Sequence, residues 1–126
     1  MLLNAGGLTV NGPVVNSSDR HVKGGFGPVD PRAILAKVAA LPITQWHYTN
    51  DPATAHLGPV AQDFYASFNV GRDDKHIATV DESGVALAAI QGLNQKVEEK
   101  DAEIRKLEAR LQKLEEWINA KSEGGK

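Results

Sequence analysis

Residues 90–118, IQGLNQKVEEKDAEIRKLEARLQKLEEWI, decide the architecture of this chain. Apolar residues recur in this stretch at alternating spacings of three and four, which is the heptad pattern of a coiled coil. Taking Ile90 as the first a position, the apolar a and d positions are Ile90, Leu93, Val97, Ile104, Leu107, Leu111, Leu114 and Ile118. A seven-residue period predicts a left-handed supercoil. A helix packed on its own domain is the alternative, but the residues off this stripe are nearly all charged or polar.

The same helix also bears on the number of chains. Isoleucine or valine at four of the five a positions, with leucine at d, favours two strands. However, residues 110–115 resemble a trimer-specifying pattern, in which Arg110 at g donates to Glu115 at e of a neighbouring helix. Lys96 and Asp101 form a second favourable pair, whereas another pair, of two glutamates, is unfavourable. We predict a parallel homotrimer.

Length and composition limit the size of the core and the kinds of site and partner that the chain can have. The chain has 126 residues, of which 41% are hydrophobic and 6% aromatic, a thin core for a monomer of this size. The absence of cysteine excludes disulfides, thiolate metal sites and a cysteine nucleophile. A net charge of −2 gives no electrostatic reason to expect a nucleic acid partner. No apolar run approaches the roughly 20 residues of a membrane helix, so no membrane partner is expected.

The middle of the chain has the pattern of a small α+β unit. Asp30 followed by Pro31 is typical of a helix start, and Leu41 followed by proline ends that helix. Trp46 and Tyr48 alternate with other residues as they do in a strand. The sequence predicts a strand over 43–49, a loop or protrusion over 50–57, a helix over 59–68, a polar turn over 70–75, a short strand over 76–80, and a cap at Asp81 or Ser83 for the long helix.

The first residues form a different pattern. Leu8, Val10 and Val14 alternate with Thr9, Asn11 and glycine, which indicates short strand pieces broken by Gly and Pro. Such a fragment cannot bury its apolar face alone. We expect it to be the end of something longer, paired with equivalent strands of partner chains. A disordered N-terminus is the alternative.

The segment 17–23, SSDRHVK, joins this start to the α+β unit. A serine and a lysine five residues apart are by themselves an ordinary turn. Four blocks of sequence, however, occur in an order that is specific when they are taken together. They are SDRHVK at 18–23, LPITQWHY at 41–48, HLGPVAQD at 56–63 and TVDESGVAL at 79–87. Together with the coiled coil they resemble the C-terminal intramolecular chaperone domain of phage tailspikes and tail fibres, the endosialidase type. The resemblance covers about residues 17–115.

This resemblance implies a trimer that lies behind a β-rich fibre, guides three chains into register and then releases itself by cutting its own chain. Carried over to this sequence, it implies that Ser18 is the nucleophile and Lys23 the general base of a serine-lysine dyad, with the cut between Ser17 and Ser18. A lysine acts as a base only when burial or neighbouring positive charge lowers the pKa of its ammonium group. The resemblance also implies assembly in the cytoplasm of the producing bacterium, with the mature fibre on a virion or cell surface.

The predicted fold class is therefore α+β, a small mixed domain followed by a long C-terminal helix that forms a parallel trimeric coiled coil. We expect the end of the upstream fibre over 1–17, the chaperone core over 18–84, the trimerisation helix over 85–121 and a flexible tail over 122–126. Arg110 and Glu115 join the apolar a and d residues as trimerisation residues. The upstream β-rich segment of the same chain would be the folding client.

No metal or cofactor is expected. The four histidines, His21, His47, His56 and His76, lack metal-ligand spacing. Residues 24–27, GGFG, lack the Gly-Lys-Ser/Thr ending of a phosphate loop. Two other functions stay open at this point: a permanent trimeric cap that cleaves nothing, and a receptor-binding tip that uses the predicted loop over 50–57.

Overall fold

The computed structural model describes residues 2–4 and 7–124 and shows an α+β chain, as predicted. A hairpin of β1 (Leu2–Asn4) and β2 (Gly7–Thr9) comes first, and a 3₁₀ turn follows at Arg20–Val22. The further elements are α1 (Pro31–Ala40), β3 (Thr44–Tyr48), β4 (Asp51–Gly58), α2 (Ala61–Phe68) and the long helix α3 (Thr79–Gly124). β1 pairs with β2 and β3 with β4, both antiparallel.

Helix α1 begins and ends where the sequence predicts. The Asp30 carboxylate accepts hydrogen bonds from the backbone N–H groups of Arg32 and Ala33, at 3.0 and 3.3 Å. Pro31 occupies the first helical position, where its missing N–H leaves no bond unmade. Leu41 terminates the helix. These local interactions fix where the chain enters the α+β unit from the segment that carries Ser18.

Helix α1 packs along the first part of α3, and Gly92 permits this close approach. Gly92 and Ala89 are buried on α3. A Cβ atom at position 92 would collide with the carbonyl oxygen of Pro31. Arg32 adds an ion pair to Glu99, with 2.7 Å between Nη1 and Oε1. Helix α1 is therefore held on the same helix that carries the heptads.

The apolar heptad stripe of α3 lies on a different face from the one that contacts α1. Gly92 and Glu99, which meet α1, are both c positions in the heptad. The eight apolar a and d side chains are between 50% and 61% exposed in the single chain. The stripe is thus uncovered, although α1 already occupies another part of the same helix.

The single chain exposes far more surface than a compact protein of its mass. Its accessible area is 10707 Å². A compact monomer of 13.5 kDa exposes only about 6,500 Å². Phe64 of α2, at 3% exposure, and Ala89 form the buried apolar core among the described residues, and the Phe64 ring packs on Phe68 with 5.0 Å between centroids. The core is as thin as the composition predicts.

The prediction of a loop or protrusion over residues 50–57 is wrong, because residues 51–57 belong to β4. Trp46 lies opposite His56 in the hairpin, and their rings stack with 4.8 Å between centroids. This cross-strand pair outweighs the turn-forming character of Asp51 and Pro52. Proline is tolerated there because each strand of a two-stranded hairpin has a free edge.

The start of α3 also differs from the prediction. A short strand is predicted over 76–80, whereas α3 already begins at Thr79. The helix therefore starts before Asp81 and Ser83, so the prediction that one of them caps it is wrong. Asp81 and Glu82 fall instead in the first turn, where carboxylates interact favourably with the positive end of the helix dipole.

The chain ends show further differences. β2 contains Leu8 but not Val10 or Val14, and it pairs with β1 of its own chain. Residues 122–124 of the predicted flexible tail continue α3. The rest of that tail, residues 125–126, lies outside the described residues, as do residues 1, 5 and 6 of the predicted fibre end. Within the described ranges, no helix combines the length and apolar character needed to cross a membrane.

Candidate functional site

Ser18 and Lys23 are in direct contact. The Lys23 Nζ atom donates a hydrogen bond to Ser18 Oγ at 2.6 Å. The two residues flank the 3₁₀ turn, in the connection between β2 and α1. Both side chains are exposed in the single chain. The structure therefore brings together the two residues that the sequence singles out, within a segment whose residues are exposed.

The turn between them is held by Asp19. Its Oδ1 atom accepts a hydrogen bond from the backbone N–H of His21 at 2.8 Å and lies 3.0 Å from the Nδ1 atom of the same residue. The Asp19 carbonyl accepts from the Val22 N–H at 3.1 Å, and the Arg20 carbonyl accepts from the Lys23 N–H at 3.4 Å. The backbone reversal that places Lys23 beside Ser18 thus has both side-chain and backbone bonds.

The Asp19 carboxyl carries a perturbed pKa. The hydrogen bond from the His21 backbone N–H holds the pKa of Asp19 below its ordinary value, and the bond to the His21 side chain adds to this. The ionised carboxylate is the form that accepts these bonds. The cap on the turn is therefore present at neutral pH.

The arrangement is suited to acyl transfer on the chain itself. Ser18 Oγ lies on the residue that directly follows the Ser17 carbonyl, so nucleophile and target are covalently close. An amine in hydrogen-bond contact with a hydroxyl takes its proton when the amine is neutral. In the structure the Lys23 group donates to Ser18 Oγ. A base role uses the same two atoms with the proton transferred in the opposite direction.

These residues open a segment that matches a known protein family. Residues 18–70 match the peptidase family described as chaperone of endosialidase. The match begins at Ser18 and ends just after α2, and it confirms the resemblance over this part of the chain. It covers less than half of the 126 residues and does not include α3. No curated protein matched the sequence.

The predicted trimerisation residues lie outside the matched segment 18–70, on α3. Arg110 and Glu115 form no ion pair within residues 2–4 and 7–124. Arg110 instead lines a shallow groove with Leu107, Leu111 and Leu114 along the heptad stripe. Both charged residues are exposed in the single chain.

The histidines lie apart from one another in the structure and make local contacts. Among the residues that the structure describes, no group of three or more acidic or histidine side chains could hold a metal ion. His21 and His76 each lie 3.0 Å from an aspartate oxygen, on Asp19 and Asp73 respectively. His56 stacks on Trp46 within the second hairpin. Each of these contacts shapes a turn or a strand pair.

A cavity that no sequence pattern predicts lies beside the second hairpin. The cavity measures about 550 Å³, and Trp46, Tyr48, Lys75 and Glu82 are among its lining residues. The Trp46 indole N–H is buried and has no hydrogen-bond partner among the described residues. The alternation of aromatic residues on β3 is the one sequence signal for this surface. The loop before α3, which supplies the opposite wall, carries no such signal.

Proposed function

We propose that this chain is a C-terminal intramolecular chaperone that trimerises, registers an upstream β-rich fibre of the same chain, and releases itself by cutting between Ser17 and Ser18. The observation that carries the proposal is the 2.6 Å contact between Lys23 Nζ and Ser18 Oγ. Ser18 is also the first residue of the segment that matches the chaperone of endosialidase family. That match supports the chaperone role, and the contact supports the cleavage.

The proposed cleavage has two steps. Neutral Lys23 takes the hydroxyl proton of Ser18 as Oγ bonds to the Ser17 carbonyl carbon. The C–N bond between Ser17 and Ser18 then breaks, the amino group of Ser18 receives a proton from Lys23, and an ester joins the Ser17 carbonyl to Oγ. Water hydrolyses this ester, which leaves a carboxylate on Ser17 and restores the hydroxyl of Ser18. The reaction occurs once per chain.

The base role requires a setting that the single chain does not provide. Burial favours the neutral form of an amine, whereas Lys23 is exposed. In our proposal the neighbouring chains of the trimer and the folded upstream fibre cover the segment. Cleavage then follows assembly, so the chaperone is released only after it has acted.

The exposed stripe of α3 supports the trimer. Eight apolar side chains at a and d positions are half-exposed or more, and their burial between helices would supply the main driving force for association. Arg110 and Glu115 would then form the pairs between chains that favour three strands over two. The excess of accessible area over a compact monomer has the same explanation.

The chaperone role follows from local concentration. A coiled coil that joins three C-termini makes strand pairing in the upstream fibre effectively intramolecular. Non-local pairing is the slow part of folding for β-rich proteins, because distant segments must meet before any contact stabilises them. Joining the chains at one end shortens that search and sets a common register.

Mass spectrometry under denaturing conditions tests the cleavage. We expect a chain that carries its native upstream segment to lose everything before Ser18. Ser18→Ala and Lys23→Ala should both abolish the loss, and Lys23→Arg should do the same because a guanidinium does not serve as a base at neutral pH. Ser17→Ala is the matched control: only its carbonyl takes part, so cleavage should persist.

A permanent trimeric cap that cleaves nothing is the second candidate, and the exposure of Ser18 and Lys23 favours it. A correctly folded trimer whose mass stays whole would overturn the cleavage and leave this alternative. Light scattering reports the oligomeric state separately, and a monomer or dimer would contradict both candidates.

A further inference from the structure

We infer that Asp19 is a positioning residue for the proposed cleavage: its carboxylate caps the 3₁₀ turn and thereby holds Lys23 beside Ser18. This inference rests on the proposed function, since it concerns the same two reacting residues. It assigns Asp19 no contact with the reacting atoms. The structure shows its Oδ1 atom bonded to His21 and not to Ser18 or Lys23.

The need for such a residue follows from chain geometry. Five peptide units separate Ser18 from Lys23, and a fully extended chain would place their Cα atoms about 17 Å apart. A lysine side chain does not span that distance. The chain must therefore fold back between them, and the turn at Arg20–Val22 provides this reversal.

The turn is short and exposed, so it has little besides its own hydrogen bonds to maintain it. One of its two backbone bonds, from the Lys23 N–H to the Arg20 carbonyl, is long at 3.4 Å. No residue of the turn is buried. A 3₁₀ turn of this length has poor hydrogen-bond geometry and depends on its surroundings. The bond from the His21 N–H to the Asp19 carboxylate, at 2.8 Å, is the shortest within the turn.

The Asp19 side chain does what a helix cap does. It accepts from a backbone N–H two residues further on, which would otherwise have no partner inside the turn. Asparagine and serine make the same bond, whereas alanine does not. The role of the cap can therefore be separated from the role of the negative charge by substitution.

A set of Asp19 variants tests this inference through the rate of cleavage. We expect Asp19→Ala to slow the loss of the segment before Ser18 on the order of tenfold, because the productive turn becomes less populated. Asp19→Asn and Asp19→Ser should restore most of the rate. His21→Ala should also keep most of it, since the backbone N–H of residue 21 remains.

Asp73 offers a matched control. Its carboxylate accepts from the Lys75 and His76 backbone N–H groups at 2.8 and 3.0 Å and lies 3.0 Å from the His76 ring nitrogen, in a loop on the other side of α2 in the sequence. Asp73→Ala removes the same kind of cap far along the chain from Ser18. It should leave the cleavage rate unchanged.

A second readout does not depend on cleavage. If the wild-type chain stays whole, nuclear Overhauser effects between the Lys23 ε-methylene and the Ser18 β-methylene protons report the contact directly. We expect these effects in the wild-type chain and in Asp19→Asn, and their loss in Asp19→Ala. That result would support the positioning role even though the proposed cleavage had failed.

Two outcomes would overturn the inference. If Asp19→Asn were as slow as Asp19→Ala, the charge and not the cap would matter. If Asp19→Ala kept the wild-type rate, or kept the Ser18–Lys23 contact in an uncleaved chain, the turn would form without the cap.

Discussion

Residues 18–23 and the heptad stripe of α3 are both exposed in a single chain, but they differ in what they lack. The Ser18–Lys23 contact forms within six consecutive residues and is complete in one copy. The stripe spans 90–118 and is apolar at every a and d position except Lys100, yet its apolar side chains are half-exposed in the single chain. The first region has its contact but is not buried, whereas the apolar side chains of the second are uncovered in the single chain.

This difference shows that the distance between two side chains and their burial have separate causes. A short turn can set a distance between two side chains, because backbone and capping hydrogen bonds act locally. A short turn cannot exclude water from the two side chains, because that requires other parts of the protein to pack around them. Helix α1 connects the two regions, since it follows the turn in sequence and packs on α3. Assembly through α3 would therefore bring neighbouring chains toward the turn.

Disruption of the heptad stripe should have the largest effect, which we expect on the number of associated chains. Leu107→Asp would place a carboxylate at a core position of each helix, and burying an unpaired charge costs several kcal/mol, on the order of the whole stability of the assembly. We expect light scattering to show a fall from three chains to one. Ala102→Asp adds the same charge at an outer f position and should remain trimeric. A trimer in both variants would show that the stripe is not the interface.

The link between the two regions is the next target. Gly92→Ala forces a Cβ atom against the Pro31 carbonyl, and overpacking of this kind costs about 1–3 kcal/mol. Chemical denaturation should show a lower midpoint. Gly84→Ala is the matched change in the same helix, where nothing lies within 4 Å of the added atom. It should raise stability by about 0.5–1 kcal/mol, and equal effects of the two would contradict the packing described here.

Substitution of Arg110 should have a smaller effect, on the preference for a trimer over a dimer. Arg110→Ala removes the proposed pair with Glu115 of a neighbour, worth about 0.5–1 kcal/mol for each pair at a partly exposed site. We expect sedimentation equilibrium to show easier dissociation or a mixture with dimers. Arg105→Ala, at an outer b position, should leave the equilibrium unchanged. An effect of the same size from both would assign it to charge in general.

The smallest effect should be a pH dependence at the contact between α1 and α3. The hydrogen bond from Arg32 lowers the pKa of Glu99 below its ordinary value of 4.5. Because the folded pKa is depressed, this contact stabilises the fold above the unfolded pKa, and the contribution is lost as pH falls through the folded value. Glu99→Gln should therefore flatten the loss of stability below about pH 4.5.

The neighbouring Glu98 provides the control for this measurement. Glu98→Gln makes the same change of charge beside Glu99 without touching the bond to Arg32. Its unfolding curves between pH 3 and pH 6, about one to two units either side of a carboxyl pKa, should parallel those of the wild-type chain. A flattening of equal size would show that the ion pair does not contribute.

Much of the fold was predictable because its signals are local. Asp30 and Pro31 mark the start of α1 by their own hydrogen-bonding chemistry. The heptads mark α3 because a helix repeats its faces at a fixed period. The proximity of Ser18 and Lys23 could be expected only through the resemblance, since a serine and a lysine in a turn have no distinctive pattern.

The errors arose where distant residues decide the structure. β4 contains an aspartate, a proline and small residues, which by themselves indicate a loop. Its strand conformation depends on His56 stacking on Trp46 across the hairpin, a contact that no local pattern reveals. The prediction also starts α3 too late, because it takes Asp81 or Ser83 as the cap, whereas the helix already begins at Thr79 and Asp81 lies in its first turn.

The sequence by itself determined the α+β class, the start of α1 at its Asp30 cap, and the heptad face on which chains could associate. These features depend on periodicity and on hydrogen bonds between near neighbours. Only the tertiary structure decided that residues 51–58 pair as a strand and that α1 packs on a face of α3 different from its apolar stripe. Those outcomes depend on which surfaces meet in space, and the order of residues alone does not specify that.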